Sequence, residues 1–149
     1  MRIPEPLFKF INLIVRAVLS SPFHGLMSSS FLVIHHVGRK SGRALATPVR
    51  YMRTSTGLRC TTGSHTQWWR NVQAASEVSL QVAGVTTRYR SSLVVKDPEQ
   101  SRPLLQAFLA AYPQDAVYHD IRMDKQQQPD HDDLEAALKE VVIVDFEPV

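Results

Sequence analysis

The sequence of 149 residues, 44% hydrophobic and 21% charged, is long enough for one domain with a buried core and has an ordinary soluble composition. Cys60 is the only cysteine, which excludes an internal disulfide and fits a reducing compartment such as the cytoplasm. The net charge of +3 is unevenly distributed, because residues 1–96 hold 13 Lys or Arg and two acids, whereas residues 97–149 hold 4 Lys or Arg and 12 acids. We interpret the first part as an anion-binding surface and the second as a solvated acidic face.

The first 22 residues contain an apolar stretch that predicts an amphipathic helix over residues 7–19, since apolar side chains recur there at steps of three and four. Lys9 and Arg16 interrupt the stretch, and it is too short to cross a bilayer. It also lacks a convincing signal-peptide cleavage site. We therefore expect this helix to stay on the protein, where it docks on its own domain or contacts the inner face of the membrane, with docking favoured.

The central part of the chain predicts strands joined by short turns. Residues 31–37 are rich in β-branched and apolar side chains and form the first predicted strand. Residues 47–53 and 58–62 predict a hairpin. Residues 78–82 and 85–95 alternate apolar and polar side chains and form the clearest hairpin of the sequence.

Two helix starts are recognisable between and after these strands. Ser64, with Gln67 three residues later, resembles a capping box and opens a short helix rich in aromatic residues. Asp97 is a stronger start, because Pro98 suits the first helical position and Gln100 can bond back to the cap. That second helix carries an apolar stripe and should end at the proline in position 113.

The C-terminal part is expected to hold a polar insertion over residues 123–133, a short helix over residues 133–140 and a last strand over residues 141–146. The insertion is rich in glutamine and is predicted to be a mobile loop. Strands joined by short turns and interrupted by helices favour an α+β chain with an antiparallel barrel over a parallel sheet. We predict a single domain over residues 1–149.

The segment with the clearest chemistry is the basic loop, Gly38-Arg39-Lys40-Ser41-Gly42-Arg43, between two predicted strands. Its glycines allow a tight turn and a close approach to a ligand, while three cations and a hydroxyl donor surround backbone N–H groups. That combination suits a phosphate. The spacing is not that of a P-loop, and a solvated hairpin turn is the alternative interpretation.

Together with the basic loop, other segments of the sequence resemble the deazaflavin-dependent nitroreductase family over most of the chain. They are Ser21-Pro22-Phe23-His24, Thr47-Pro48-Val49-Arg50-Tyr51, Trp68-Trp69-Arg70-Asn71-Val72, the strand at residues 78–82, Ala111-Tyr112-Pro113 and the terminal Glu147-Pro148. The resemblance implies an antiparallel split β-barrel of the FMN-binding split barrel-like type, here with an N-terminal amphipathic helix and flanking helices.

The resemblance also implies a function, namely hydride transfer from a reduced deazaflavin, coenzyme F-420, to a small acceptor such as a quinone, an enone or a nitro compound. The basic loop would hold the cofactor's phosphate, and the ring would lie beside the hairpin and the Trp-containing helix. The implied cofactor-binding residues are Gly38, Arg39, Lys40, Ser41, Gly42, Arg43, Pro48, Arg50, Thr62, Gly63, Trp69 and Asn71. Tyr112 and Tyr118 are the substrate-side or proton-donor candidates.

Two alternatives keep the barrel and change its role. The loop Thr62–Thr66 is shorter than the family's, so an FMN-dependent oxidoreductase is one alternative, and a non-catalytic module that binds flavin or another small molecule is the other. We favour the deazaflavin because its oligoglutamate tail is anionic and residues 38–70 contain no acid. The cations of this segment are Arg39, Lys40, Arg43, Arg50, Arg53, Arg59 and Arg70.

Other functional classes find little support in the sequence. His35 and His36 are neighbours in a strand and face opposite sides, and we predict no metal site. A nucleic-acid-binding barrel would need aromatic side chains interleaved with arginines on one strand face, whereas Tyr89 faces away from its neighbours Arg88 and Arg90. We expect small-molecule partners, no nucleic acid, a monomer or homodimer, core packing for one tryptophan and a buried, unreactive cysteine.

Overall fold

A single sheet of seven antiparallel strands organises residues 30–149, the part of the chain that the computed structural model describes. The helix predicted over residues 7–19 and the family-like segment 21–24 lie outside these residues. The strands are β1 (Phe31–Val37), β2 (Ala44–Arg50), β3 (Met52–Arg53), β4 (Leu58–Gly63), β5 (Glu77–Val82), β6 (Val85–Val95) and β7 (Val141–Pro148). Their order across the sheet is β2-β1-β5-β6-β7-β4-β3.

The sheet must curl, because the strands at its two edges, β2 and β3, are separated in sequence by Tyr51 alone. The strand predicted over residues 47–53 is therefore two strands with a bend between them. β2 pairs with β1, and β3 pairs with β4. Tyr51 is buried at the bend, and its N–H donates to the carbonyl of Ser30. The curled antiparallel sheet with its flanking helices confirms the predicted split-barrel fold.

The β5–β6 hairpin confirms the clearest strand prediction of the sequence. Its turn consists of Ala83 and Gly84, which both have a positive φ, of 52° and 80°. Two residues of this conformation make the turn whose twist matches that of paired strands. The hairpin predicted between residues 53 and 58 is also present, although on its first side only Met52 and Arg53 pair.

Within residues 30–149, four helical segments flank the sheet, and the starts of two of them test the two capping predictions. They are α1 (Trp68–Ala74), α2 (Pro98–Ala111), a 3-10 helix (Pro113–His119) and α3 (His131–Leu138). Asp97 accepts from the N–H of Gln100 and from its side-chain Nε2, as predicted. The prediction of a capping box at Ser64 is wrong. The Ser64 hydroxyl donates to Glu140 instead, and α1 begins after Gln67 without a side-chain cap.

The core has two parts, which lie on either side of β7. Leu32, Ile34, Tyr51, Leu58, Cys60, Trp68, Trp69, Val72, Val78, Leu80, Val142, Val144 and Phe146 form the barrel interior. The second part lies under α2 and α3 and includes Leu105, Leu109, Leu134, Leu138, Val141 and Ile143. Cys60 is fully buried, as predicted, and its burial raises the pKa of the thiol. Both tryptophans belong to the core.

The segment 123–133 forms a turn that leads into α3. Met123 bridges to Pro129, and the Asp130 carboxylate accepts from the N–H of Asp133, so that α3 begins at His131, two residues before the predicted start. Asp133 accepts in turn from Arg122. The mobility expected for this segment stays a prediction. None of the helices within residues 30–149 is long and apolar enough to cross a membrane.

The closeness of β4 and β7 gives a test of the fold. A Cβ added at Gly57 would lie 1.9 Å from the carbonyl oxygen of Phe146. We expect Gly57→Ala to lower the free energy of unfolding by about 3 kcal/mol, the upper end of overpacking effects. Gly42→Ala is the control, because Gly42 has open space around it but a φ of +71°, which penalises alanine by about 1 kcal/mol. Equal losses in urea unfolding would contradict this packing.

Candidate functional site

The basic loop, residues 38–43, joins β1 to β2 as a turn closed on itself. Gly38 N–H donates to the carbonyl of Arg43 at 2.9 Å, and Gly42 N–H donates to the carbonyl of Gly38 at 2.8 Å. The Ser41 hydroxyl accepts from the N–H of Arg43 at 3.2 Å. A Cβ at position 38 would lie 2.5 Å from Ser41 Oγ, so the Ser41 side chain would have to move, and Gly42 has a positive φ, which favours glycine. The predicted turn is confirmed.

This closure limits which groups of the loop remain available to a ligand. Four of the six N–H groups, including that of Arg39, already donate inside the protein. Those of Lys40 and Ser41 have no partner within residues 30–149, and the same holds for the exposed side chains of Lys40 and Arg43. The donors that a ligand can reach are therefore concentrated at Lys40, Ser41 and Arg43.

Arg39 ties the basic loop to α1 and brings two of the predicted motifs together. Its N–H and its Nη1 donate to Asn71 Oδ1, at 3.1 and 3.3 Å. Its Nη2 donates to Gln67 Oε1 at 3.0 Å. Asn71 itself is buried, with 5% of its surface exposed. Gln67, which the sequence analysis placed in a cap, is thus a partner of the loop.

Behind Asn71 lies a buried histidine whose role the sequence analysis did not recognise. Asn71 Nδ2 donates to His36 Nδ1 at 3.1 Å, so the His36 proton is assigned to Nε2, which donates to Thr47 Oγ1 at 2.8 Å. Burial lowers the pKa of His36 to about 4, which keeps the ring neutral. His35 is exposed, in agreement with the opposite facing predicted for the pair. The signal in the sequence is the position of His36 in β1, where a polar side chain continues a row of apolar side chains that face inward.

Two further predicted residues, Arg50 and Tyr112, lie together in a second cluster. The Nε of Arg50 lies 2.9 and 2.8 Å from the carboxylate oxygens of Asp115, and its guanidinium lies 4.5 Å from the ring centre of Phe31 and 4.9 Å from that of Tyr112. The Tyr112 hydroxyl donates to the carbonyl of Tyr51 at 2.7 Å. Six strand residues, about 20 Å, separate this cluster from the basic loop. Both side chains are engaged within the protein.

The excess of cations in residues 38–70 is smaller in the folded chain than in the sequence. Arg50 pairs with Asp115, and Arg59 makes two bonds of 2.7 and 2.9 Å to Asp145. Burial raises the pKa of Asp115, against the opposing effect of Arg50. The expectation of a solvated acidic face is therefore wrong for these two acids. Because Arg50 and Arg59 are paired, fewer than seven of these cations are uncompensated in the folded chain.

A cleft of about 230 Å³ brings together Gly63, at the end of β4, and Tyr118, on the 3-10 helix. Tyr118 is 45% exposed. The His65 ring packs against Gly63, where a Cβ would lie 2.6 Å from Nδ1. His119 Nε2 lies 3.0 Å from Thr61 Oγ1, and burial lowers the pKa of His119 to about 4. The cleft thus offers hydrogen-bonding groups and a phenol to a ligand, and the side chains of Asp120, Asp133 and Glu140 also line it.

The cleft and the basic loop lie on neighbouring parts of the surface. Gln67, which bonds to Arg39, follows Gly63 by four residues, and four residues span at most about 14 Å. The connecting segment is braced, because Thr62 Oγ1 lies 2.9 Å from Thr66 Oγ1 and Arg70 Nη1 donates to the carbonyls of Ser64 and Thr66. Thr62 is buried and does not line the cleft.

Trp69 and Pro48 are interior residues. Trp69 is 5% exposed, and the Arg70 guanidinium lies 4.5 Å from its ring centre. Pro48 is buried in β2, an edge strand that tolerates proline. Direct contact of either residue with a cofactor stays a prediction. Within residues 30–149 no cluster of three or more His, Cys, Asp or Glu side chains has the arrangement of a metal site.

Comparisons with known proteins bear on the family and the fold of the chain. Residues 14–126 match the family model of the F420H(2)-dependent quinone reductases. No curated protein matches the chain in sequence.

The fold is similar to several solved structures. HutZ, the heme storage protein from Vibrio cholerae, is 13% identical with a TM-score of 0.54, over 87% of this chain and 90% of that chain. A protein of unknown function from Agrobacterium tumefaciens is 12% identical with a TM-score of 0.54, over 88% of this chain but 57% of that chain. An F420-H2 dependent reductase is 19% identical with a TM-score of 0.49, over 78% of this chain and 94% of that chain. The likeness to the first two shows the fold alone.

The buried His36 predicts a pH dependence of stability. Its pKa is lower in the folded chain than in the unfolded one, so its contribution is present above pH 6.5 and is lost as the pH falls towards about 4. We expect His36→Gln to reduce the slope of unfolding free energy against pH by up to about 1.4 kcal/mol per pH unit, the value for one proton. His35→Gln, at an exposed neighbour, is the control. Unfolding in urea at pH 4.5–7 measures both, and equal slopes would contradict the assignment.

Proposed function

Because the chain belongs to the F420H(2)-dependent quinone reductase family, we propose that it binds F-420 on the basic loop and reduces a small acceptor in the adjacent cleft. One observation carries this proposal. Lys40 and Arg43 are free of polar partners within residues 30–149, and Gln67, which bonds to Arg39 of their loop, follows Gly63 of the Tyr118 cleft by four residues.

The residues of the loop fit the anionic part of F-420. Lys40 and Arg43 supply two cations, the Ser41 hydroxyl can donate, and the N–H groups of Lys40 and Ser41 are available within the described chain. Nothing lies within 4 Å of the position that a Cβ would take on Gly42, so a phosphate can approach the backbone there. Bound and reduced, F-420 supplies the hydride for the acceptor.

The side chains of the cleft supply binding and polarity for the acceptor. Quinones, enones and nitro compounds all gain negative charge on an oxygen as they are reduced, and a positioned hydrogen-bond donor stabilises that charge. Tyr118 is exposed in the cleft and can donate from its hydroxyl. Tyr112 is the weaker candidate, because its hydroxyl already donates to the Tyr51 carbonyl.

Removing one free cation tests the phosphate assignment. We expect Lys40→Ala to weaken F-420 binding by about 1.5–3 kcal/mol, the usual worth of a hydrogen bond to a charged group. Lys125→Ala removes an exposed lysine of the 123–133 turn and should leave the affinity unchanged. Fluorescence titration of the apo-protein measures both variants, and equal affinity for wild type and Lys40→Ala would reject this site.

The same titration separates the alternatives for the cofactor. Binding of the polyanionic F-420 should be weaker at high salt than at low salt, because at 0.1 M salt the attraction between exposed charges extends only about 10 Å. Tighter binding of FMN with little salt dependence would favour the FMN-dependent alternative. Binding of F-420 without reduction of a quinone, an enone or a nitro compound would favour a non-catalytic module.

The two tyrosines provide a matched pair for the chemical step. We expect Tyr118→Phe to lower kcat by about 100-fold, the lower end of general acid catalysis, with F-420 affinity unchanged. Tyr112→Phe removes the bond to the Tyr51 carbonyl, so it should lower the free energy of unfolding by about 1 kcal/mol and leave kcat unchanged. Stopped-flow oxidation of reduced F-420 measures the rates. The opposite pattern would assign the proton donor to Tyr112.

A further inference from the structure

The three cations of the basic loop have different surroundings. Lys40 and Arg43 extend into solvent without a polar partner in residues 30–149, whereas Arg39 directs two guanidinium nitrogens and its backbone N–H at α1. Resting on the proposed function, we propose that Arg39 is a positioning residue, which fastens the loop to Asn71 and Gln67 so that Lys40 and Arg43 can bind the cofactor's anionic groups.

The partners of Arg39 form a fork that matches a guanidinium. Gln67 and Asn71 are four residues apart at the start of α1, and this spacing places their side chains on one face, one above the other. Their two amide oxygens accept from two different nitrogens of Arg39. A lysine carries its three donors on one nitrogen, so it cannot present to these oxygens the planar fork of two nitrogens that the guanidinium presents. The site therefore selects the shape of arginine as well as its charge.

The orientation of the Asn71 amide links the basic loop to the barrel interior. A flipped amide would direct Nδ2 at the N–H and the guanidinium of Arg39, so that donors faced donors. Arg39 therefore fixes the amide with Oδ1 towards the loop, and in this orientation Asn71 Nδ2 donates to His36 Nδ1 while His36 Nε2 donates to Thr47. A continuous chain of hydrogen bonds thus runs from β2 through β1 and α1 to the backbone of the basic loop.

The positioning role predicts a definite pattern of affinities for F-420. Arg39→Lys keeps the charge but loses the fork, and Asn71→Ala removes the shared acceptor, so each should weaken binding about tenfold. The double variant should be no weaker than the weaker single variant, because both changes break one link. Lys40→Ala combined with Asn71→Ala should cost less than the product of the two losses, because a loop that is no longer held in place has already lost part of the Lys40 contact. Multiplied losses for Arg39→Lys with Asn71→Ala would overturn the proposal.

Gln67→Ala keeps the experiment decisive if Asn71→Ala fails to fold. Gln67 is exposed, so its truncation spares the core, and it should weaken binding two- to threefold in wild type but not in Arg39→Lys. Gln73→Ala, at an exposed glutamine of the same helix, is the matched control and should have no effect. An equal effect of the two truncations would overturn the assignment of Gln67.

A readout without cofactor separates this inference from the proposed function. In the apo-protein, the Arg39 N–H should exchange with solvent at least tenfold faster in Asn71→Ala than in wild type, because its acceptor is gone. An unchanged exchange rate, measured by NMR, would overturn the anchoring role whether or not F-420 binds. Failure of the wild type to bind F-420 would overturn the proposed function, while the exchange rates would still decide whether Asn71 anchors the loop.

Discussion

The bend at Tyr51 is the constraint from which the arrangement of the site follows. Because one continuous segment supplies both edge strands, the sheet has to curl until β2 and β4 approach each other. β4 then runs back towards the end of the barrel from which β2 started. The basic loop precedes β2 and Gly63 ends β4, so the basic loop and the cleft lie at neighbouring positions without any long connection. In a flat sheet with the same strand order, the basic loop and the cleft would lie far apart.

Electrostatic pairing across the fold then decides which cations can serve a ligand. Arg50 and Arg59 belong to the cation-rich first part of the chain, yet each is held by an acid from the second part, Asp115 and Asp145. These pairs are partly buried and are screened less than surface charges. At the basic loop, Lys40 and Arg43 are the cations that remain without a polar partner in residues 30–149. The specificity of the loop depends on this pairing elsewhere as much as on its own residues.

Local patterns could be predicted from the sequence, and contacts between distant segments could not. The strand at residues 31–37, the β5–β6 hairpin and the Asp97 cap are determined within a few residues of chain, and all three are confirmed. The Arg50–Asp115 and Arg59–Asp145 pairs join residues 65 and 86 positions apart, so no local pattern indicates them. The same holds for the site, where the loop was recognisable as a turn but its attachment to Asn71 was not.

The chain of polar groups from Thr47 to Arg39 also explains why the barrel is not apolar throughout. A buried histidine and a buried asparagine are unfavourable unless each polar atom has a partner, and here both His36 nitrogens and both polar atoms of Asn71 have one. Apolar side chains of similar size could pack the same space with equal or greater stability. They could not hold the N–H of Arg39 in place. The polar groups of the interior therefore hold the basic loop against α1 through Arg39.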